Sequence, residues 1–340
     1  MADHLTERQQ ALLALIVREY VASRNPVGSD LIVRRYWPGI SPATVRNDMV
    51  ALANEGYIYN THTSSGRVPT DPGYRYYVRH LMRPVELSAD ERRMIDHQFH
   101  QIERNLDQWR QLAATTLAQM TENAAFVTTP ANPSSRLRHV DLIATQERAA
   151  LLVAVLQEGT LHQQLLVQGE ALHQDQLDVT ARRITRELRG SAAVEIDRWS
   201  NAETPLDLVV RENLAGLLRR VEQQTTSEVW YDGVSYLLAQ PEFARPDRAK
   251  EILRAIEQRL VLAEIADAVK AQPGVQVSIG DENAAAVLRD CAVLATRYGR
   301  GDLVGVIGVV APTRVRYDRV IATLEYLSKL LTELWAEICG

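Results

Sequence analysis

The sequence predicts an α+β fold in which a small, basic, helical module leads a larger and acidic mixed body. Capped runs with three- and four-residue apolar spacing fill the first sixty residues, and short alternating runs separated by turn residues recur between about 125 and 310. The charge divides in the same way. Residues 1–83 hold ten Arg and no Lys against seven Asp and Glu, a balance of +3. The remainder holds 28 basic and 36 acidic side chains, a balance of −8, and the two sum to the net −5. A basic module on an acidic body suits a protein of which one face meets phosphate.

The leading module reads element by element. Thr6-Glu7-Arg8-Gln9 is a capping box, and Leu12, Leu13, Ile16, Val17, Tyr20 and Val21 then form the buried stripe of a first helix that stops at Asn25-Pro26. Ser29 opens a short second helix to about Tyr36, and Pro38-Gly39 is a turn. Ser41-Pro42 opens a third, with Ser as N-cap and Pro where no amide hydrogen is needed, and Gly56 suits the position past its end. On that helix Val45, Met49 and Leu52 share one face, while Ala43, Asn47 and Asn54 point away with Thr44 and Arg46 on the flanks. Tyr57-Ile58-Tyr59 and a strand starting at Val68 enclose the polar loop Thr61–Arg67, so three helices are followed by a hairpin, the winged-helix plan. Arg can pair with guanine in two prongs and Asn with adenine, so Thr44, Arg46 and Asn47 are the candidates for base reading, with Ser41 at the cap. His62, Thr63, Ser64, Ser65 and Arg67 on the loop are candidates for the sugar-phosphate backbone. Arg75, on the Tyr-rich stretch Gly73–Val78, could touch phosphate or pack against the body, and both readings stay open here.

Farther along, Ser88-x-x-Glu91 is a second capping box, followed by a helical seam of Ile95, Phe99, Ile102, Leu106, Trp109 and Ala113 that breaks once before Thr121. A helix lying on a sheet is preferred to a coiled coil, because consistent flanking charges are lacking. Strands are expected at Ala125–Thr129, His139–Ala144, Ala149–Gln157, Thr160–Val167, Val229–Tyr231, Val275–Ile279, Cys291–Arg297 and Leu303–Val310. A helix is expected over Gln176–Leu188, and an amphipathic helix from Tyr317 to Ile338 closes the chain.

Several classes find no support. The longest apolar run, Ala149–Leu156, falls short of the roughly 18 residues of a membrane span, and Met1–Thr6 is too polar for a secretory signal. Cys291 and Cys339 are the two cysteines and lack metal-ligand spacing, which fits a reducing cytoplasm. His97 and His100 lie on one helix face without a third ligand, so neither a metal nor a cofactor is expected. Gly299-x-Gly301-x-x-x-Gly305 misses the dinucleotide fingerprint and reads as turn chemistry between strands. No motif points to an enzyme.

Pro26-Val27-Gly28-Ser29, Ser41-Pro42-Ala43-Thr44-Val45-Arg46-Asn47-Asp48-Met49, His62-Thr63-Ser64-Ser65-Gly66-Arg67-Val68-Pro69-Thr70 and Gly73–Val78 resemble the heat-inducible transcription repressor HrcA family. So do Gln240-Pro241-Glu242-Phe243, Ile279-Gly280-Asp281-Glu282-Asn283 and the stretch from Tyr298 to Arg314. Departures stand at Thr61, where the family commonly has Pro, at Asn54, and at Ser65 in place of Ala. The resemblance implies a winged helix-turn-helix over residues 1–83. It also implies a GAF-like α+β body over 88–184 and 256–340, and an inserted α/β dimerisation domain, placed here at 185–255. It implies a homodimer that represses chaperone operons by binding an inverted-repeat, CIRCE-type operator in double-stranded DNA. Activity would be supported by the chaperonin GroEL. The alternative is a ligand-sensing transcription regulator whose GAF-like domain binds a small molecule.

Overall fold

A computed structural model of the chain describes residues 5–60, 66–102, 105–130, 135–157, 159–225, 229–257, 260–270, 272–301 and 303–339. Thr6 does cap α1 (Glu7–Ser23) through the anticipated box, and the helix ends at Arg24 in the left-handed region. α2 (Ser29–Arg35) and α3 (Pro42–Asn54) follow, then β1 (Ile58–Asn60) and β2 (Arg67–Pro69), an antiparallel pair with Ile58 opposite Pro69 and Asn60 opposite Arg67. α4 (Asp71–Tyr76) runs on into one π-helical turn, Tyr77–Leu81. The anticipated seam is two helices, α5 (Ala89–His100) and α6 (Leu106–Thr121), and both of their N-termini are capped, by the Ser88–Glu91 box and by Asn105.

The chain divides into two compact units. The first contains the elements above with β3 (Ala124–Thr128) and, after a long gap in sequence, the rest of a five-stranded sheet. The second comprises residues 129–228 with the 299–305 turn. It contains β4 (Leu137–Gln146), β5 (Ala149–Leu156) and β6 (Leu161–Val167), a meander paired only within itself, and the helices α7 (Gln174–Leu188), α8 (Ala193–Asp197) and α9 (Pro205–Thr225). Its own core includes Leu152, Leu156, Ile184, Leu214 and Leu218. Asp207, fully buried, is held there by Arg183 at 2.7 Å and by the amides of Glu203 and Thr204 at 2.8 Å, so the buried charge is paired and hydrogen-bonded.

The first unit resumes with β7 (Val229–Asp232), α10 (Val234–Leu238), α11 (Pro246–Glu257), α12 (Leu260–Lys270), β8 (Gln276–Ile279), β9 (Cys291–Arg300), β10 (Leu303–Pro312) and α13 (Tyr317–Cys339). The sheet order is β7-β3-β10-β9-β8, with β3 antiparallel to both neighbours. Alternation along β3 is between two buried faces: Ala125 and Val127 join one apolar cluster, Ala124 and Phe126 the other. Every residue of β3 is therefore buried, as expected of a central strand covered on both sides. β9 and β10 are joined through Gly299 and Gly301 at φ 109° and 59°, the turn role expected of them.

The insertion boundaries differ from the sequence reading, which placed them at 185 and 255. Thr128 and Val229 are register partners on β3 and β7, so the chain leaves the sheet and returns to the neighbouring strand. β4–β6, assigned from sequence to the first part of the body, lie in the separate unit. Strand-forming patterns alone do not say which strands pair, and a self-contained meander reads the same as part of a larger sheet.

Candidate nucleic-acid interface

α3 is positioned from beneath by packing and from one flank by charge. Val45 and Leu52 are fully buried and Met49 nearly so, in the same cluster as Leu12, Leu13, Ile16 and Ile32. Arg8 on α1 grips Asp48 on α3 in two prongs, Nε to Oδ2 at 2.6 Å and Nη2 to Oδ1 at 3.1 Å, and this bond holds the guanidinium pKa above its ordinary value. The N-terminus is built by Ser41, whose Oγ accepts from the Thr44 amide at 3.1 Å and lies 2.9 Å from the Thr44 hydroxyl. The opposite face is open: Ser41, Arg46 and Asn47 are exposed and Thr44 is half-buried. Neither Arg46 nor Asn47 has a side-chain partner among the described residues.

The hairpin is tied to the helices rather than left to swing. Val27 and Arg67 exchange backbone hydrogen bonds at 2.9 and 2.8 Å, adding a third extended segment beside β2. Gly66 allows that approach, because a side chain there would run into the backbone of Pro26 and Val27. Arg67 is half-buried, with its Nε enclosed and unpartnered among the described residues. His62, Thr63, Ser64 and Ser65 lie outside the described residues.

Arg75 departs from the phosphate-contact expectation. Its Nε donates to Glu282 Oε1 at 2.7 Å, and its Nη2 donates to the Val277 carbonyl at 2.6 Å and to the second Glu282 oxygen. Burial lowers its pKa, and the side chain is 18 % exposed. The guanidinium is thus spent on fastening α4 to the end of β8, and it does not join Ser41, Thr44, Arg46, Asn47 and Arg67.

Sequence reasoning missed Asp48 and Arg8 as positioning residues. The signal available was an acidic residue on the inward side of an otherwise apolar helix face, which needs a cationic partner when buried. Among the described residues no group of three or more His, Cys, Asp and Glu is placed to hold a metal ion, and no helix is long and apolar enough to cross a membrane.

Residues 107–321 match the family model described as the HrcA protein C-terminal domain. Proteins described as heat-inducible transcription repressor HrcA are similar along their whole length. That of Roseiflexus castenholzii is 38 % identical, with 100 % of this chain and 97 % of the relative covered. That of Thermomicrobium roseum is 38 % identical, with 100 % and 98 % covered, and that of Herpetosiphon aurantiacus 38 %, with 99 % and 97 %. A crystal structure of a hypothetical protein shares the fold at a TM-score of 0.57 and 24 % identity, with 98 % of this chain and 99 % of that one covered.

Proposed function

Since the chain belongs to the HrcA family of heat-inducible transcription repressors, we propose that it represses chaperone operons by binding an inverted-repeat, CIRCE-type operator as a homodimer. In this reading residues 1–83 are a winged helix-turn-helix, and the unit built on the β7-β3-β10-β9-β8 sheet is a GAF-like body. The observation that carries the reading is the open face of α3: Arg46 and Asn47 are exposed, with no side-chain partner among the described residues, on a helix whose inner face is packed and whose flank is pinned by Arg8 and Asp48. Such a helix enters the major groove with its side chains already oriented, Arg46 toward guanine and Asn47 toward adenine. Ser41 and Thr44 lie at its N-terminus, where an exposed hydroxyl can approach a phosphate or a base edge. The hairpin, with His62, Thr63, Ser64, Ser65 and Arg67, lies along the sugar-phosphate chain.

Dimerisation is supported by the 129–228 unit. Ile143, Leu151 and Leu165 form a cross-strand row on its three-stranded sheet, and Ile143, Leu161, Leu165 and Val167 are exposed. An apolar sheet face of that kind is covered by a second copy at little cost in desolvation. Two-fold symmetry then matches the symmetry of the operator.

Repression follows by occupancy of the operator in the cytoplasm. The chaperonin GroEL would raise the population of the folded dimer, and heat would lower it by diverting the chaperonin to unfolded chains. The test is fluorescence anisotropy with an inverted-repeat duplex and a scrambled duplex of equal composition, with and without chaperonin, at two temperatures. Tighter binding of the repeat, strengthened by chaperonin at the higher temperature, is expected. Equal affinity for both duplexes removes the reading.

A further inference from the structure

A cavity of about 450 Å³ lies between the C-terminal end of α1, the end of α6 and the segment joining β10 to α13, all within the first unit. Its volume falls within the roughly 300–1,000 Å³ of small-molecule sites. Four arginines line it. Two are committed: Arg314 binds Glu242 and, at 2.9 Å, the side-chain oxygen of Gln240, while Arg319 binds Glu91 at 3.0 Å. The other two, Arg24 and Arg316, are exposed and their guanidinium groups have no partner among the described residues.

The same cavity also offers an acceptor in Glu122. Its carboxylate is exposed and has no partner among the described residues. Arg24 and Glu122 are the left-handed C-caps of α1 and α6, φ 60° and 54°, so two helix ends open onto this cavity.

We propose that this cavity binds a small phosphorylated polyol, of the sugar-phosphate class, with its phosphate on Arg24 and Arg316 and its hydroxyls donating to Glu122. Guanidinium forks supply planar donors for phosphate oxygens, and the carboxylate oxygens accept from hydroxyls. The ligand would bridge α1 to the body, and α1 is the helix whose Arg8 holds α3. Occupancy and DNA affinity are then coupled, each altering the other by the same factor. The site is distinct from the DNA face, and ligand binding is measured without DNA, so its failure leaves the repressor reading intact.

The experiment is isothermal titration of the full chain at low ionic strength with glucose 6-phosphate, glucose and inorganic phosphate as separate arms. Glucose 6-phosphate is expected to bind, inorganic phosphate about tenfold or more weakly, and glucose without measurable heat. Arg24→Gly suits a left-handed position, and Arg316→Gln alters an exposed side chain, so both variants keep the fold; a thermal melt checks this. Each should weaken glucose 6-phosphate about tenfold. No heat with glucose 6-phosphate at millimolar concentration, or undiminished binding by the double variant, overturns the proposal. Equal affinity for inorganic phosphate overturns the assignment of the hydroxyl-bearing ligand.

Discussion

Asp48 on α3 and Arg8 on α1 join two helices of the leading module through a two-pronged ion pair. The carboxylate is 9 % exposed and the guanidinium 51 %, so the pair is anchored at one end and hydrated at the other. Asp48→Asn keeps the shape and removes the charge that orients Arg8. This variant should stay folded and bind operator more weakly, with an unchanged dependence on salt, because no phosphate contact is lost. Anisotropy at four salt concentrations reads both quantities. Unaltered affinity would show that packing of Val45, Met49 and Leu52 suffices to hold α3.

On the open side of the same helix, Arg46→Ala and Asn47→Ala should each weaken operator binding by about 1–3 kcal/mol and relax preference at one base position. Competition among duplexes changed one base pair at a time measures the effect. Loss that is equal across all sequences would move that side chain from base edge to phosphate.

Arg67 should behave in the other way. Its alanine variant is expected to weaken operator and scrambled duplex alike and to reduce the slope of log affinity against log salt by about one. A slope unaltered by Arg67→Ala assigns the half-buried guanidinium to the interior of the hairpin instead.

Arg75 supplies the contrast. Arg75→Ala breaks its bonds to Glu282 and the Val277 carbonyl, and since Glu282 is 43 % exposed and can be rehydrated, the loss is about 1–2 kcal/mol after screening by solvent. Urea unfolding reads this, while the salt slope of DNA binding should not move. A reduced slope would return Arg75 to the phosphate contacts.

The leading module was legible because its rules are local. Thr6 and Ser41 cap the helices that follow them, as Ser88 does beyond the module, and the Val45–Met49–Leu52 stripe is buried as its spacing requires. What eluded the sequence is long-range. Nothing near Arg75 in the chain names Glu282, 207 positions away, and nothing near Thr128 names Val229 as its partner. The motifs that carried only resemblance acquire physical roles once those distances close. Asn283 Nδ2 lies 2.9–3.0 Å from the carbonyls of Gly280, Leu288 and Cys291, and shapes the loop that presents Glu282 to Arg75. Gln240 and Glu242 flank Pro241 because both hold Arg314.

Glu91 provides a pH test of how α5 is tied to α13. Its carboxylate receives the Arg319 guanidinium and the amide and hydroxyl of Ser88, and these donors, Arg319 foremost, pull its pKa down from 4.5 to about 2. A depressed carboxylate stabilises the fold fully above its unfolded pKa, and that contribution fades as pH falls from about 4.5 toward 2. Glu91→Gln keeps a side chain able to complete the capping box but forfeits the ion pair. The variant should therefore unfold at lower urea than the parent at neutral pH, and the difference should shrink steadily below pH 4.5. Urea midpoints of the two proteins between pH 7 and pH 3 decide it. A gap that stays constant across that range would mean that Glu91 acts through the cap alone and that Arg319 contributes nothing through its charge.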